Sequence, residues 1–104
     1  MDESTLQALR LAPQEKNQRV LAKKLGFSLG KTNYILKGLV EKGYIKVERF
    51  MASDQKAVYR YVLTPKGISH RISLTEAFIK RKKREYEELE KDLKKLKNNY
   101  QSNQ

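Results

Sequence analysis

Cysteine is absent from the 104 residues, which excludes disulfides, thiolate metal sites and cysteine nucleophiles and suits a reducing compartment. Histidine occurs once, as His70, so neither a histidine metal cluster nor a histidine-cysteine catalytic pair can be assembled. No glycine-rich phosphate loop appears, and the carboxylates are scattered instead of gathered around a plausible cleft. Neither an enzyme nor a bound cofactor or metal is expected. No apolar run approaches the ~20 residues of a membrane span, and the start Met1-Asp2-Glu3-Ser4 lacks a basic segment leading into an apolar core. A soluble cytoplasmic protein with no membrane partner is the expectation.

Acidic side chains are also scarce, 12 against 23 lysines and arginines, for a formal charge of +11. Such an excess favours a polyanionic partner, nucleic acid first. The excess is spread along the chain. Up to residue 64 there are 12 basic and 6 acidic side chains, and beyond it 11 and 6, so the charge is not a detachable basic tail. The length suits one compact domain with an appendage. With 34% charged and 38% hydrophobic residues, the apolar side chains must be concentrated if a core is to form.

Leu6, Leu9 and Ala12 share one face of a short helix over roughly residues 3 to 12, which must stop before Pro13 because the residue preceding proline is pushed out of the α region. Asn17 is suited to cap a second helix running to about Leu25, with Val20, Leu21 and Leu25 as its apolar stripe and Gly26 ending it. Phe27 reads as a core side chain at the corner. Ser28 can cap a third helix reaching Lys42, before Gly43. Helix, three-residue turn with glycine, helix is the helix-turn-helix pattern. From Tyr44 the period changes to two, with Ile45 and Val47 facing the core and Lys46 and Glu48 facing water. A second β-branched and aromatic strand, Val58 to Leu63, follows the polar stretch from Met51 to Ala57, so the pair reads as a hairpin, or wing, with a mobile tip.

Thr64-Pro65 restarts a helix, threonine as cap and proline at the first position, where its missing N–H costs nothing. Beyond Gly67 there is no further proline or glycine. Ile72, Ile79, Tyr86, Leu93 and Tyr100 recur every seven residues, and Ile68, Leu89 and Leu96 occupy the other seam position, which elsewhere holds Thr75 and Lys82. A helix about 50 Å long with so narrow a stripe needs a second helix, most economically from another copy. Ile68, Ile72, Ile79, Tyr86, Leu89, Leu93, Leu96 and Tyr100 are the expected dimerisation residues, and Lys82 interrupts their seam. The organisation expected is a winged helix-turn-helix domain over 1–64, a long coiled-coil-like helix over 65–100 and a frayed tail over 101–104. The fold class is mainly α with a small β-hairpin.

On a helical wheel the third helix turns Leu29, Thr32, Ile35, Leu36, Leu39 and Val40 to one side and Gly30, Lys31, Asn33, Tyr34, Lys37 and Glu41 to the other. The second set suits a DNA major groove: glycine permits close approach, asparagine pairs with adenine, and lysine meets guanine or phosphate. Tyr34 offers a contact to a thymine methyl or a phosphate. Ser28, Gly30, Lys31, Asn33, Tyr34 and Lys37 are therefore candidate contacts. Lys16, Arg19, Lys23 and Lys24 lie near or on the second helix, which in such motifs crosses the backbone, and Arg19 and Lys23 share a face. Arg49 and Lys56 flank the wing tip and suit phosphate or the minor groove. The run from Lys80 to Arg84 reads as a solvated helix face paired with Glu85, Glu87 and Glu88, with flanking DNA or an acidic partner as the alternative, and His70 reads as a surface residue.

Three blocks carry a resemblance: Asn17-Gln18-Arg19-Val20-Leu21-Ala22-Lys23-Lys24-Leu25-Gly26, Leu39-Val40-Glu41-Lys42-Gly43-Tyr44-Ile45 and Leu63-Thr64-Pro65-Lys66-Gly67. They resemble the MarR-type winged-helix repressors. The block from Ser28 to Tyr34 is similar to a small MarR-like subgroup associated with bacterial exopolysaccharide gene clusters. The resemblance implies a double-stranded DNA partner, a pseudo-palindromic site and repression by a homodimer. Such proteins usually dimerise with helices from both chain ends and hold small ligands near that junction. Here almost nothing precedes the first helix, which weighs against a small-molecule effector. The family's wing motif, Asp-x-Arg, is approximated by Asp54-Gln55-Lys56. The competing expectation is a winged-helix protein interaction module that docks through its C-terminal helix.

Overall fold

The computed structural model describes residues 3–15, 17–51 and 57–102, and of Ala57 only the backbone. In chain order the elements are α1 (Glu3–Leu11), a 3₁₀ turn (Ala12–Gln14), α2 (Gln18–Leu25), α3 (Leu29–Glu41), β1 (Ile45–Met51), β2 (Ala57–Leu63) and α4 (Pro65–Ser102). They form two compact units, Met1–Leu74 and Thr75–Gln104. The fold is a winged helix-turn-helix with a long C-terminal helix.

In the first unit, α1, α2 and α3 close around Ala8, Leu9, Ala12, Leu21, Leu36 and Leu39, and Ile45 of β1 completes the core. Leu63, Tyr61 and Leu74 pack against its edge. The hairpin is antiparallel, pairing Ile45 with Leu63 through to Met51 with Ala57. Alanines at 8, 12 and 22 let the helices approach closely, and larger side chains fill the space between them.

Two glycines end helices in the same way. Gly26 (φ 76°) follows α2 and Gly43 (φ 78°) follows α3, both left-handed. The next residue then donates its amide back into the last turn, Phe27 to the Ala22 carbonyl at 3.0 Å and Tyr44 to that of Leu39 at 2.9 Å. A third glycine is required for another reason. Gly67, in the first turn of α4, is buried, and a Cβ there would lie 1.8 Å from the Tyr44 carbonyl oxygen. Thr64 holds that approach: its amide donates to the Tyr44 carbonyl (3.1 Å), its hydroxyl reaches the carbonyls of Gly43 and Tyr44, and its Oγ1 accepts from the Gly67 amide (3.0 Å). Lys66 donates to the Lys42 carbonyl at the end of α3 (3.0 Å), and His70 stacks on Tyr44 with centroids 4.2 Å apart. The Leu-Thr-Pro-Lys-Gly block is thus the joint between α3, the wing and α4.

The second unit, as described, is the remainder of α4, which continues through Gln101 and Ser102; Asn103 and Gln104 lie outside the described residues.

Several expectations need correction. Val20, Leu29, Val40 and Val47, placed on buried faces by their spacing, are exposed at 43, 40, 39 and 49%. The buried stripe of α2 is Gln18, Leu21, Ala22 and Leu25, a run with helical spacing that leaves Val20 among the lysines. Leu29 is the first residue of its helix and Val40 sits at the margin of the buried arc. Val47 lies opposite Tyr61, which packs against the core from the neighbouring strand, while Val47 itself stays half exposed. His70 is half-buried against Tyr44 instead of lying on the surface. α1 does end at Leu11, before Pro13, as expected, and Pro13 sits inside the 3₁₀ turn that follows. Both strands extend into the expected tip, to Met51 and from Ala57, while Ala52 to Lys56 lie outside the described residues.

Candidate nucleic-acid interface

The turn between α2 and α3 is only Gly26-Phe27-Ser28, and each end of it is fixed. Upstream, Asn17 caps α2 by accepting from the Arg19 amide at 2.8 Å. Downstream, Ser28 caps α3 by accepting from the Lys31 amide at 3.1 Å, and Thr32 donates its hydroxyl to the Ser28 carbonyl at 2.9 Å. Thr32 is completely buried with that bond made, so the start of α3 is pinned from inside. Leu36 and Leu39 seat the rest of the helix, which fixes what points out.

The outward face carries Gly30, Lys31, Asn33, Tyr34, Lys37 and Glu41, all exposed, and Tyr34 is 80% exposed. Gly30 has no heavy atom within 4 Å of where a Cβ would sit, so the fold itself does not require glycine there. Lys31 lies with its ammonium 4.0 Å from the centroid of the Phe27 ring, which makes Phe27 a half-buried platform rather than a core residue.

On α2, Arg19 and Lys23 are exposed as expected. Lys24 is ion-paired with Glu15, and Lys16 lies outside the described residues. On the wing Arg49 is exposed and pairs across the sheet with Tyr59, itself 61% exposed, while Lys46 is bound to Glu48 at 2.9 Å. Lys56 and the Asp54-Gln55-Lys56 motif lie outside the described residues. Arg60, which sequence reasoning passed over, lies over Phe50 on the other face of the hairpin at 5.5 Å. The available signal was Arg60 itself, set between Tyr59 and Tyr61 in β2.

A depression beside α3, open to solvent and lined by Thr5, Tyr34, Ile35, Lys37, Gly38, Leu39, Glu41 and Lys42, mixes apolar and charged side chains and is not an enclosed cavity. Among the described residues no group of side chains is arranged to hold a metal ion, and no helix is long and apolar enough to cross a membrane.

A capped helix held by a three-residue turn, its outer face polar and bare, followed by a two-stranded wing, defines a winged helix-turn-helix protein. Residues 2–46 match the family model described as winged helix-turn-helix DNA-binding. Among solved structures, a point mutant of Lactococcus lactis ZitR is similar, at 24% identity and a TM-score of 0.65, over 86% of this chain and 60% of that one. A point mutant of S. aureus MepR is similar at 18% identity and a TM-score of 0.62, over 92% of this chain and 77% of that one. Streptococcus pneumoniae FabT, in complex with DNA, is similar at 24% identity and a TM-score of 0.55, over 97% of this chain and 74% of that one. At these identities the likeness is one of fold, and this chain spans less than two thirds of the ZitR chain it matches. No curated protein sequence matches it.

Proposed function

We propose that the protein is a MarR-type transcriptional regulator, a repressor, that binds a pseudo-palindromic duplex site as a homodimer. The observation that carries this reading is the outer face of α3: glycine, lysine, asparagine and tyrosine, all exposed, on a helix fixed at its N-terminus by Ser28 and Thr32. Asn33 and Lys31 read base edges in the major groove, with Gly30 admitting the duplex and Tyr34 and Lys37 completing the contact. Ser28 at the helix N-terminus, Arg19 and Lys23 on α2, and Arg49 and Lys56 on the wing neutralise phosphates and set register. The fold shared with a protein solved in complex with DNA supports the docking mode.

Dimerisation belongs to α4. Ile68, Ile72, Ile79, Tyr86, Leu89, Leu93, Leu96 and Tyr100 are between 47% and 68% exposed in the single chain, a seam with no partner of its own. The Ser28 to Tyr34 block further supports the subgroup associated with exopolysaccharide gene clusters, whose promoters are the first to assay.

The test compares two variants by competition between a selected site and random duplex. Asn33→Ala is expected to lose roughly 1–3 kcal/mol of discrimination, whereas Lys23→Ala weakens both duplexes alike. Equal loss on both duplexes for both variants would count against the assignment.

A further inference from the structure

Lys80-Arg81-Lys82-Lys83-Arg84 is the densest charge run of the chain, and an acidic block follows it: Glu85, Glu87, Glu88, Glu90 and Asp92. A solvated helix face ordinarily intersperses the two signs, because neighbours at i, i+4 then pair. Here they are segregated. Where they do meet at that spacing, Arg81 with Glu85, Lys83 with Glu87 and Arg84 with Glu88, the base precedes the acid, the less favourable order against the helix dipole. None of these pairs closes in the structure, and Lys82 with Glu85 at 3.3 Å is the one ion pair of the run among the described residues.

The five charges divide by what lies beneath them. Arg81 and Lys82 rest over the Phe78 ring, 5.4 and 5.2 Å from its centroid. Lys80, Lys83 and Arg84 share another side of the helix at i, i+3, i+4 spacing, all exposed and without an ion pair, although Glu76 and Glu87 lie one turn to either side. Lys83 flanks the Ile79 and Tyr86 seam while Lys80 and Arg84 lie away from it, so pairing of the seam leaves them in water.

We infer that the Lys80, Lys83 and Arg84 face of α4 is a second, sequence-independent contact for the phosphate backbone of duplex DNA. This rests on the DNA-binding reading above. Phosphate fits better than an acidic peptide because, once the Ile79 and Tyr86 seam is paired, no large apolar side chain accompanies the three charges, whereas peptide grooves rely on aromatic or aliphatic anchors. Flexible lysines and a forked arginine without carboxylate partners are what a polyphosphate recruits.

The test uses the full chain with Lys80→Gln, Lys83→Gln and Arg84→Gln combined, because glutamine keeps helix propensity and removes charge. Affinity for a random-sequence duplex is measured across salt, with helicity and oligomeric state checked in parallel. Three lost contacts at a slope of about 0.9 each flatten log K against log salt by about 2.7 per protomer, so between 50 and 200 mM salt the variant sheds roughly 40-fold less affinity for each protomer that touches the duplex. An unchanged slope in a variant of normal helicity and assembly overturns the inference and leaves the recognition-helix reading standing. If the unmodified protein binds no duplex at any salt, both readings fall. Loss of binding to an acidic protein alone, with the DNA slope intact, also overturns it.

Discussion

Gly67 shows how much one missing methyl group can hold together. The Tyr44 carbonyl occupies the position its Cβ would need, and that carbonyl is also held by the Thr64 amide. Gly67→Ala must therefore push backbone against backbone, and a destabilisation of roughly 3 kcal/mol, the upper end of overpacking, is expected by chemical denaturation. Gly30→Ala, with open space around it, should instead leave the fold intact or gain about 1 kcal/mol from helix propensity, so the pair of variants separates a structural glycine from one kept for a partner. The caps Asn17, Ser28 and Thr64 were legible from residue type and position alone, since each precedes a periodic run. The tightness at Gly67 was not. A glycine in a first helical turn signals nothing unless the backbone it meets is known.

For the elements, spacing resolved the helix-turn-helix almost to the residue, because Asn17, Gly26, Ser28 and Gly43 each mark a helix boundary by its own backbone requirement. Burial was less legible. Hydrophobic spacing placed Val20 and Val47 inward, yet which side of an element is covered depends on the neighbours that pack against it. α4 is the element whose pattern exceeds what one chain satisfies, with Tyr86, Leu89, Leu93, Leu96 and Tyr100 all more than half exposed. Leu93→Ser should convert a dimer to monomer by analytical ultracentrifugation and abolish the concentration dependence of Tm. An unmodified protein that sediments as a monomer at every concentration would remove α4 from the interface account.

In the whole molecule, two signals converge that neither residue nor element carries alone. The charge of +11 is shared between the recognition domain and the long helix, and the fold places exposed glycine, lysine, asparagine and tyrosine on the one helix that winged helix-turn-helix proteins present to a groove. Base preference is not written in the chain, because it depends on how these side chains meet a partner. Selection of bound duplexes from a random pool tests the central claim most directly. Enrichment of an inverted repeat, with half-sites centred about one helical turn or a multiple apart, and its loss in Asn33→Ala, is the expected result. A pool that stays random while the protein still binds it, or one whose enriched motif survives Asn33→Ala unchanged, would contradict the assignment of α3 as the reading element.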